Sequence, residues 1–508
     1  MKKSRGLGIA LSYANTVMNM ISGLVLSSFL LLSLGDTEYG LYQTVSSFSS
    51  YLVLLEFGTG TVMTRNISVA LNRYEGKEQE EIIDRNVSTV WVISLVLSAV
   101  MAIGGLIFYL NLGNIYANTM DPSQIAYAKR IMLILFANII VGYLNQNSNG
   151  FLLAHEEYTF ANFLSLIRIV IRTLSLIALI SLFKYAILIA IVDLTLSVLI
   201  FVITFVYSRT RYRVRISLRC FDKQIFIQSI PLCVALLLQT LTNQANNNVD
   251  KFVLGIMMNL ESVALYSVTQ FVFSMFASIG TIPVVMFMPE VSKNMARKLS
   301  PMEFNKTLVH PCRLTVLICG SILCGFFAVG KQFISLLYGT DKADAWLYAL
   351  IILVPMFFNM SNTVIINVLD IANKRLARSL ALLGTTIANI ILTVWFISLW
   401  GIIGAVIATA ITMMIGNVII MNIYYQKKLG IRVFYLFKEA YKGILPFQII
   451  AGVAVFFVAR LIPSPMLSLL AGGVLYLVLS LIPIYFLGIK QDEKQKIHSV
   501  LKRMKIKK

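Results

Sequence analysis

Apolar residues run along this chain in long blocks, each near twenty residues and divided by short polar punctuation. Fourteen blocks are read, at 9–33, 41–63, 87–110, 126–153, 159–182, 185–207, 226–257, 263–288, 312–331, 346–371, 379–399, 402–425, 444–461 and 466–488. Each is long enough to cross a hydrocarbon core of about 30 Å as a helix. A membrane barrel would instead show short segments of period two. The pattern predicts an all-α polytopic membrane protein of about 14 transmembrane helices. The first block has full span length and lacks a small-residue cleavage site, so an uncleaved first helix is expected.

One block breaks the pattern. Residues 240–252 read TLTNQANNNVDKF, between IPLCVALLLQ and FVLGIMM. In the first block Ser12, Asn15, Asn19 and Ser22 are spaced 3, 4, 3 and share one helical face. A shift of 224 residues carries them onto Leu236, Gln239, Asn243 and Asn246, with Asp250 four further on. A loop has no reason to keep helical spacing. The run is therefore read as part of one long helix with a polar face. Other spans carry similar stripes: Tyr42, Ser46, Ser49 and Glu56 in span 2, Asn138, Gly142, Asn145 and Asn149 in span 4, and Ser165, Arg168, Arg172 and Ser175 in span 5. Unsatisfied amides in hydrocarbon cost several kcal/mol each, so these faces need water or partners. A water-filled cavity is one reading and hydrogen bonding between helices is the other.

The chain also repeats itself. At an offset of 218 residues HEEY (155–158) falls on NKRL (373–376), FKYA (183–186) on GIIG (401–404) and Arg209 on Lys427. At an offset of 224, YGLYQTV (39–45) falls on VALYSVT (263–269). Spans 1–6 thus resemble spans 7–12 in the same orientation, which suggests two six-helix bundles about a pseudo-two-fold axis with a site between them. The expected division is 1–218 and 219–428 for the bundles, and 429–508 for two extra helices and a basic tail.

Composition agrees: the 508 residues are 58% hydrophobic and 13% charged, with mean hydropathy +0.80. The net charge of +20 suggests nucleic acid until its placement is considered. With the N-terminus inside, 34 basic residues fall on inner segments and six on outer ones. That split follows the positive-inside rule and puts both termini in the cytoplasm. The tail KRMKIKK then lies beside anionic headgroups, and no nucleic-acid partner is expected. Five cysteines without a CxxC pair, and three scattered histidines, leave no metal or disulfide framework. The absence of a large loop favours a transporter over an enzyme that transfers or polymerises sugars.

Three basic residues fall within spans: Arg168, Arg172 and Lys251. An arginine at the bilayer centre costs about 2.5–3.5 kcal/mol even on insertion scales, so it faces a cavity or a partner. Two guanidiniums on one face suit a phosphate-bearing ligand, and pairing with Glu56 or Asp193 is the structural alternative. Asp250 and Lys251 are adjacent, so on a helix they point about 100° apart and take separate partners. The substrate-binding candidates are Arg168, Arg172, Lys251, Asp250, Asn15, Asn19, Gln239, Asn243, Asn246 and Asn145. Asp193, Glu56 and Asp250 are candidates for coupling to a proton or sodium gradient, and no cofactor is expected. Pro231, Pro283, Pro289 and Pro355 are candidate bend points.

LGDTEYGLYQ (34–43), LEFGTGTVMTR (55–65), NVDKFVLG (248–255) and GIIGAVIATA (401–410) together resemble Wzx-type polysaccharide flippases of the multidrug/oligosaccharidyl-lipid/polysaccharide exporter superfamily. The resemblance implies a V-shaped pair of bundles in a bacterial cytoplasmic membrane. It implies a substrate too: an oligosaccharide repeat unit on undecaprenyl pyrophosphate, moved from the inner to the outer leaflet. Membrane lipids, a polysaccharide polymerase and export machinery are the implied partners. A lipid II flippase and a cation-coupled multidrug antiporter of the same superfamily are the nearest alternatives. The amide-rich first span and the intramembrane cations disfavour cationic drugs. A membrane glycosyltransferase lacks its loop here, and a scaffold would not need buried arginines.

Overall fold

A computed structural model describes residues 2–52, 56, 58–212, 216–217, 220–297, 300–371 and 375–488. Seventeen α-helices are found among them: α1 (Lys2–Leu52), α2 (Thr59–Arg73), α3 (Gly76–Ile115), α4 (Pro122–Ala154), α5 (Tyr158–Phe183), α6 (Ile187–Tyr212), α7 (Lys223–Met257), α8 (Leu260–Ala296), α9 (Pro301–Tyr338), α10 (Ala345–Ser361), α11 (Thr363–Ile371), α12 (Arg375–Trp400), α13 (Ile402–Met413), α14 (Met421–Leu429), α15 (Val433–Tyr441), α16 (Leu445–Arg460) and α17 (Pro465–Pro483). The all-α polytopic class is borne out. Among the described residues eleven helical segments are long and apolar enough to cross a membrane, or twelve if α15 and α16, bent by 51°, form one span.

The difference from fourteen has identifiable sources. Expected spans 1 and 2 are two helices within α1, broken by the non-helical backbone of Gly35 (φ 78°, ψ 171°) inside the expected gap between 33 and 41, and the count of eleven takes them together. That backbone region is open essentially to glycine alone. The expected end of span 2 is displaced, because α1 stops at Leu52 and α2 begins at Thr59 after Gly58. Helix α7 has part of its side chains outside the described residues and is not among the eleven. It nevertheless runs unbroken from Lys223 to Met257, so the polar run 240–252 is helix and not loop.

The chain forms two compact units, Met1–Ser267 and Val268–Lys508. The sequence boundary at 218/219 concerns repetition along the chain; compactness divides it later, because α7 packs against α1, α2 and α3. In the first unit α2 lays Val62, Met63, Ile67 and Ala70 against Val87, Val90 and Trp91 of α3 and Phe151 of α4. Large apolar side chains on the outside, such as Leu106, Ile107 and Leu110, suit lipid. In the second unit α9, α16 and α17 pack through Cys324, Ala328, Val329, Ala451, Val455 and Ala459. Small residues let helix backbones approach where lipid supplies no hydrophobic drive. Arg313, buried on α9, donates to the carbonyls of Glu439 (2.8 Å), Lys442 (3.0 Å) and Gly488 (2.7 Å), which fastens α9 to the chain around α15 and after α17.

Within the first unit α2 and α4 approach backbone to backbone. A Cβ on Gly150 would lie 2.3 Å from the Gly60 carbonyl oxygen, and Thr64 Oγ1 donates to the Gly150 carbonyl at 2.9 Å. Gly150→Val therefore forces the two helices apart. We expect a loss of at least about 1–3 kcal/mol, the usual cost of overpacking. A thermal unfolding midpoint equal to that of the wild type in the same detergent would contradict this contact.

Candidate functional site

The charged residues read from the sequence lie in the first unit: Arg168 and Arg172 on α5, Asp193 on α6, Asp250 and Lys251 on α7, and Glu56 between α1 and α2. Arg168 and Arg172 stand one turn apart on α5, and Asp193 and Ser197 one turn apart on α6. Arg172 grips Asp193 with both forks, Nε to Oδ1 at 2.5 Å and Nη2 to Oδ2 at 3.0 Å. Arg168 Nη2 donates to Ser197 Oγ at 2.9 Å. The two rungs run in opposite chain directions, as an antiparallel helix pair requires. Ser197 then donates to Asn138 Oδ1 on α4 at 2.6 Å. One heptad along both helices, Thr204 Oγ1 donates to Asn145 Oδ1 at 2.7 Å. Tyr42 of α1 lies within electrostatic reach of Arg172 and Asp193.

Two guanidiniums and one carboxylate leave this cluster with one excess positive charge. A guanidinium has five N–H donors, and one of those on Arg168 meets Ser197 among the described residues. Arg168 is only half-buried. It can therefore offer charge and donors to an anion. Arg172 cannot do so without releasing Asp193.

A second group centres on α7. Asp250, 6% exposed, accepts a hydrogen bond from the Tyr266 hydroxyl. Lys251 Nζ donates to Gln43 Oε1 at 3.4 Å. The neighbouring residues thus meet different helices, as their helical angle predicts. Gln43 also bonds Tyr39 and directly follows Tyr42, so one stretch of α1 serves both groups.

The other candidates divide plainly. Asn15 is buried and donates to the Asn162 carbonyl at 2.9 Å, which ties α1 to α5. Ser22 and Thr173 extend that seam, with their hydroxyls 2.6 Å apart. Asn19 is exposed. Glu56 accepts from Gln146 Nε2 at 2.6 Å. The side chains of Gln239, Asn243 and Asn246 lie outside the described residues, as does that of Pro289. Pro231 and Pro355 lie inside α7 and α10. Pro283 lies within α8. Among the described residues no group of three His, Cys, Asp or Glu converges as a metal set.

Ser197, Gln43 and Tyr266 were not singled out from the sequence. A signal for Ser197 existed: Asp193, Ser197, Thr204 and Ser208 are spaced 4, 7, 4 and form a polar stripe on span 6. Gln43 and Tyr266 had none, because each is chosen by a contact far away in the chain.

Residues 8–295 match the polysaccharide biosynthesis protein family. The chain belongs to that family. Its fold is shared with solved transporters. The inward closed conformation of the lipid II flippase MurJ superposes with TM-score 0.68 at 16% identity, over 94% of this chain and 99% of that one. An inward-facing multidrug resistance MATE transporter of the MOP superfamily gives TM-score 0.57 at 14% identity, over 84% and 98%. A mutant of the Vibrio cholerae MATE transporter VcmN gives 0.51 at 15% identity, over 85% and 98%. No curated protein matches the sequence significantly.

The bidentate pair makes a measurable claim. Asp193→Ala leaves Arg172 largely buried and unpaired, and should cost about 3 kcal/mol, the low end for a broken buried pair because Arg172 keeps a third of its side-chain surface. Adding Arg172→Ala should recover much of that loss. Unfolding free energies that simply add across the two substitutions would show that the pair is not coupled.

Proposed function

We propose that the protein is a flippase for undecaprenyl-pyrophosphate-linked oligosaccharide repeat units, which it moves from the inner to the outer leaflet of a bacterial cytoplasmic membrane by alternating access. The observation that carries this reading is the excess positive charge at Arg168, on an intramembrane helix whose other cation is already neutralised. A diphosphate crossing hydrocarbon needs such a charge, and guanidinium donors match its oxygens. Membership in the polysaccharide biosynthesis family supports a sugar cargo. The hydroxyls and amides along α4 and α6 suit sugar hydroxyls, and the lipid tail has no need to leave the bilayer. Transport of this kind breaks no covalent bond, so we read the protein as a transporter and not an enzyme, with no cofactor. Sugar polymerisation falls to a separate partner.

Energy for the cycle is proposed to come from a proton or sodium gradient. Each candidate carboxylate already has a partner: Asp193 has Arg172, Glu56 has Gln146 and Asp250 has Tyr266. A coupling ion must compete with that partner. Asp193 is the favoured position, because protonating it would free Arg172 for the anionic headgroup. Lipid II is the second reading, favoured by the fold shared with MurJ, and would use the same headgroup chemistry.

Proteoliposomes test the proposal. The lipid-linked repeat unit and lipid II are each supplied, and an impermeant lectin scores the sugars exposed over time. We expect protein-dependent exposure of the repeat unit, slowed about 10–100-fold by Arg168→Gln, since a hydrogen bond to a charged group is worth about 1.5–3 kcal/mol. Equal rates for wild type and variant would remove Arg168 from the site. Exposure of lipid II alone would select the second reading, and exposure no faster than in empty liposomes would reject lipid flipping.

A further inference from the structure

A polar cavity of about 350 Å³ lies at one end of the first unit, away from the cluster on α5 and α6. Its walls are one face each of three helices. From α2 come Arg65, Asn66 and Arg73, from α3 Asn86, and from α7 Gln228 and Ser229. Arg65 and Arg73 are eight residues apart, just over two turns and about 12 Å along the helix, and both line the cavity. Both are exposed, as is Gln228, whereas Asn86 and Ser229 are 7% and 6% exposed and form the floor. Asn86 commits its Nδ2 to the Ile82 carbonyl.

Among the described residues no Asp or Glu lines this cavity. That matters because the turn after α2 and the start of α3 are acidic, with Glu75 in the turn and Glu78, Glu80 and Glu81 on α3. Glu81 is turned to Arg85, at 2.6 Å. The Arg73 guanidinium lies 5.9 Å from the Tyr74 ring. The cavity itself thus holds two guanidiniums, amides and the Ser229 hydroxyl, which donates to the Ile225 carbonyl at 2.8 Å, beside apolar side chains of the same three helices. Fork-shaped donors beside neutral polar groups are the chemistry that takes phosphate oxygens. The surrounding helix ends carry many of the basic residues that the charge distribution assigns to the cytoplasmic surface.

We propose that this cavity is a binding site for a phosphate group at the membrane surface. The group belongs either to an anionic lipid headgroup or to a free phosphate compound. The site does not depend on what the protein transports. It acts before or beside transport, by anchoring this end of α2 and α7 to a phosphate.

The full-length protein in lipid nanodiscs and in detergent tests both sources. Native mass spectrometry counts bound phosphatidylglycerol against phosphatidylcholine, and thermal shift follows inorganic diphosphate. We expect Arg65→Gln/Arg73→Gln to weaken the affected probe at least ten-fold, while Lys77→Gln, exposed on the neighbouring turn, leaves it unchanged. Gln228→Glu, which sets a carboxylate beside the arginines from α7, should give the same loss without touching α2. Retained phosphatidylglycerol that responds to these variants assigns a lipid headgroup, and a response confined to diphosphate assigns a soluble phosphate. Binding of both probes unchanged in the double variant and in Gln228→Glu overturns the site. An equal loss in Lys77→Gln also overturns it, because general surface charge would then suffice.

Discussion

A polar group inside hydrocarbon must find a partner within the protein, since lipid offers none. The first unit meets this demand with ladders between helices. The α4 amides Asn138 and Asn145 receive hydroxyls from Ser197 and Thr204, and α5 is tied to α1 through Asn15 and Ser22. Arg172 and Asp193 close the α5–α6 pair. These contacts take the place of a hydrophobic core in water, where burial itself drives packing. Apolar side chains are left free to face lipid.

What such a ladder does not neutralise is what remains for function. The fork of Arg172 is filled by Asp193. Arg168 has a neutral partner instead, and Lys251 meets the amide oxygen of Gln43. Neutral partners satisfy hydrogen bonds without cancelling charge. A cation held in this way is oriented and still electrostatically available, which is the condition for preorganised recognition of an anion.

The helical class was legible because apolar blocks of span length have few alternative explanations. The helical course of α7 through the polar run 240–252 was legible because its spacing matches that of α1 at a fixed offset along the chain. The division between spans 1 and 2 was legible as well, because the polar stretch 34–40 contains the break at Gly35. The end of span 2 was not: α1 stops at Leu52 and α2 begins at Thr59 after a left-handed Gly58, and glycine in a sequence does not declare its φ. The contacts of the candidate site were half legible. Arg168, Arg172 and Asp193 announce themselves as charges in apolar blocks, and pairing with Asp193 was one of the two open readings. Gln43 and Tyr266 carry no such mark. A neutral side chain gains its role only from the helix that packs beside it, and single-helix spacing holds no information on that neighbour.

The repeat also shows where the two halves part in chemistry. At the offset of 218, Arg168, Arg172, Asp193 and Ser197 fall on Thr386, Ile390, Ile411 and Ile415. The equivalent helix pair, α12 and α13, is joined by Asn389 donating to Thr409 at 3.2 Å and Thr412 at 3.0 Å. A neutral amide–hydroxyl seam therefore stands where the first half has an ion pair and a spare cation. Both seams satisfy the membrane's demand for partners, and the neutral one does so without desolvating a charge. Since packing alone is served by the neutral arrangement, the charged version on α5 and α6 calls for a reason beyond stability. The anionic cargo or coupling ion proposed above would supply one, and it would act on the first half of the chain.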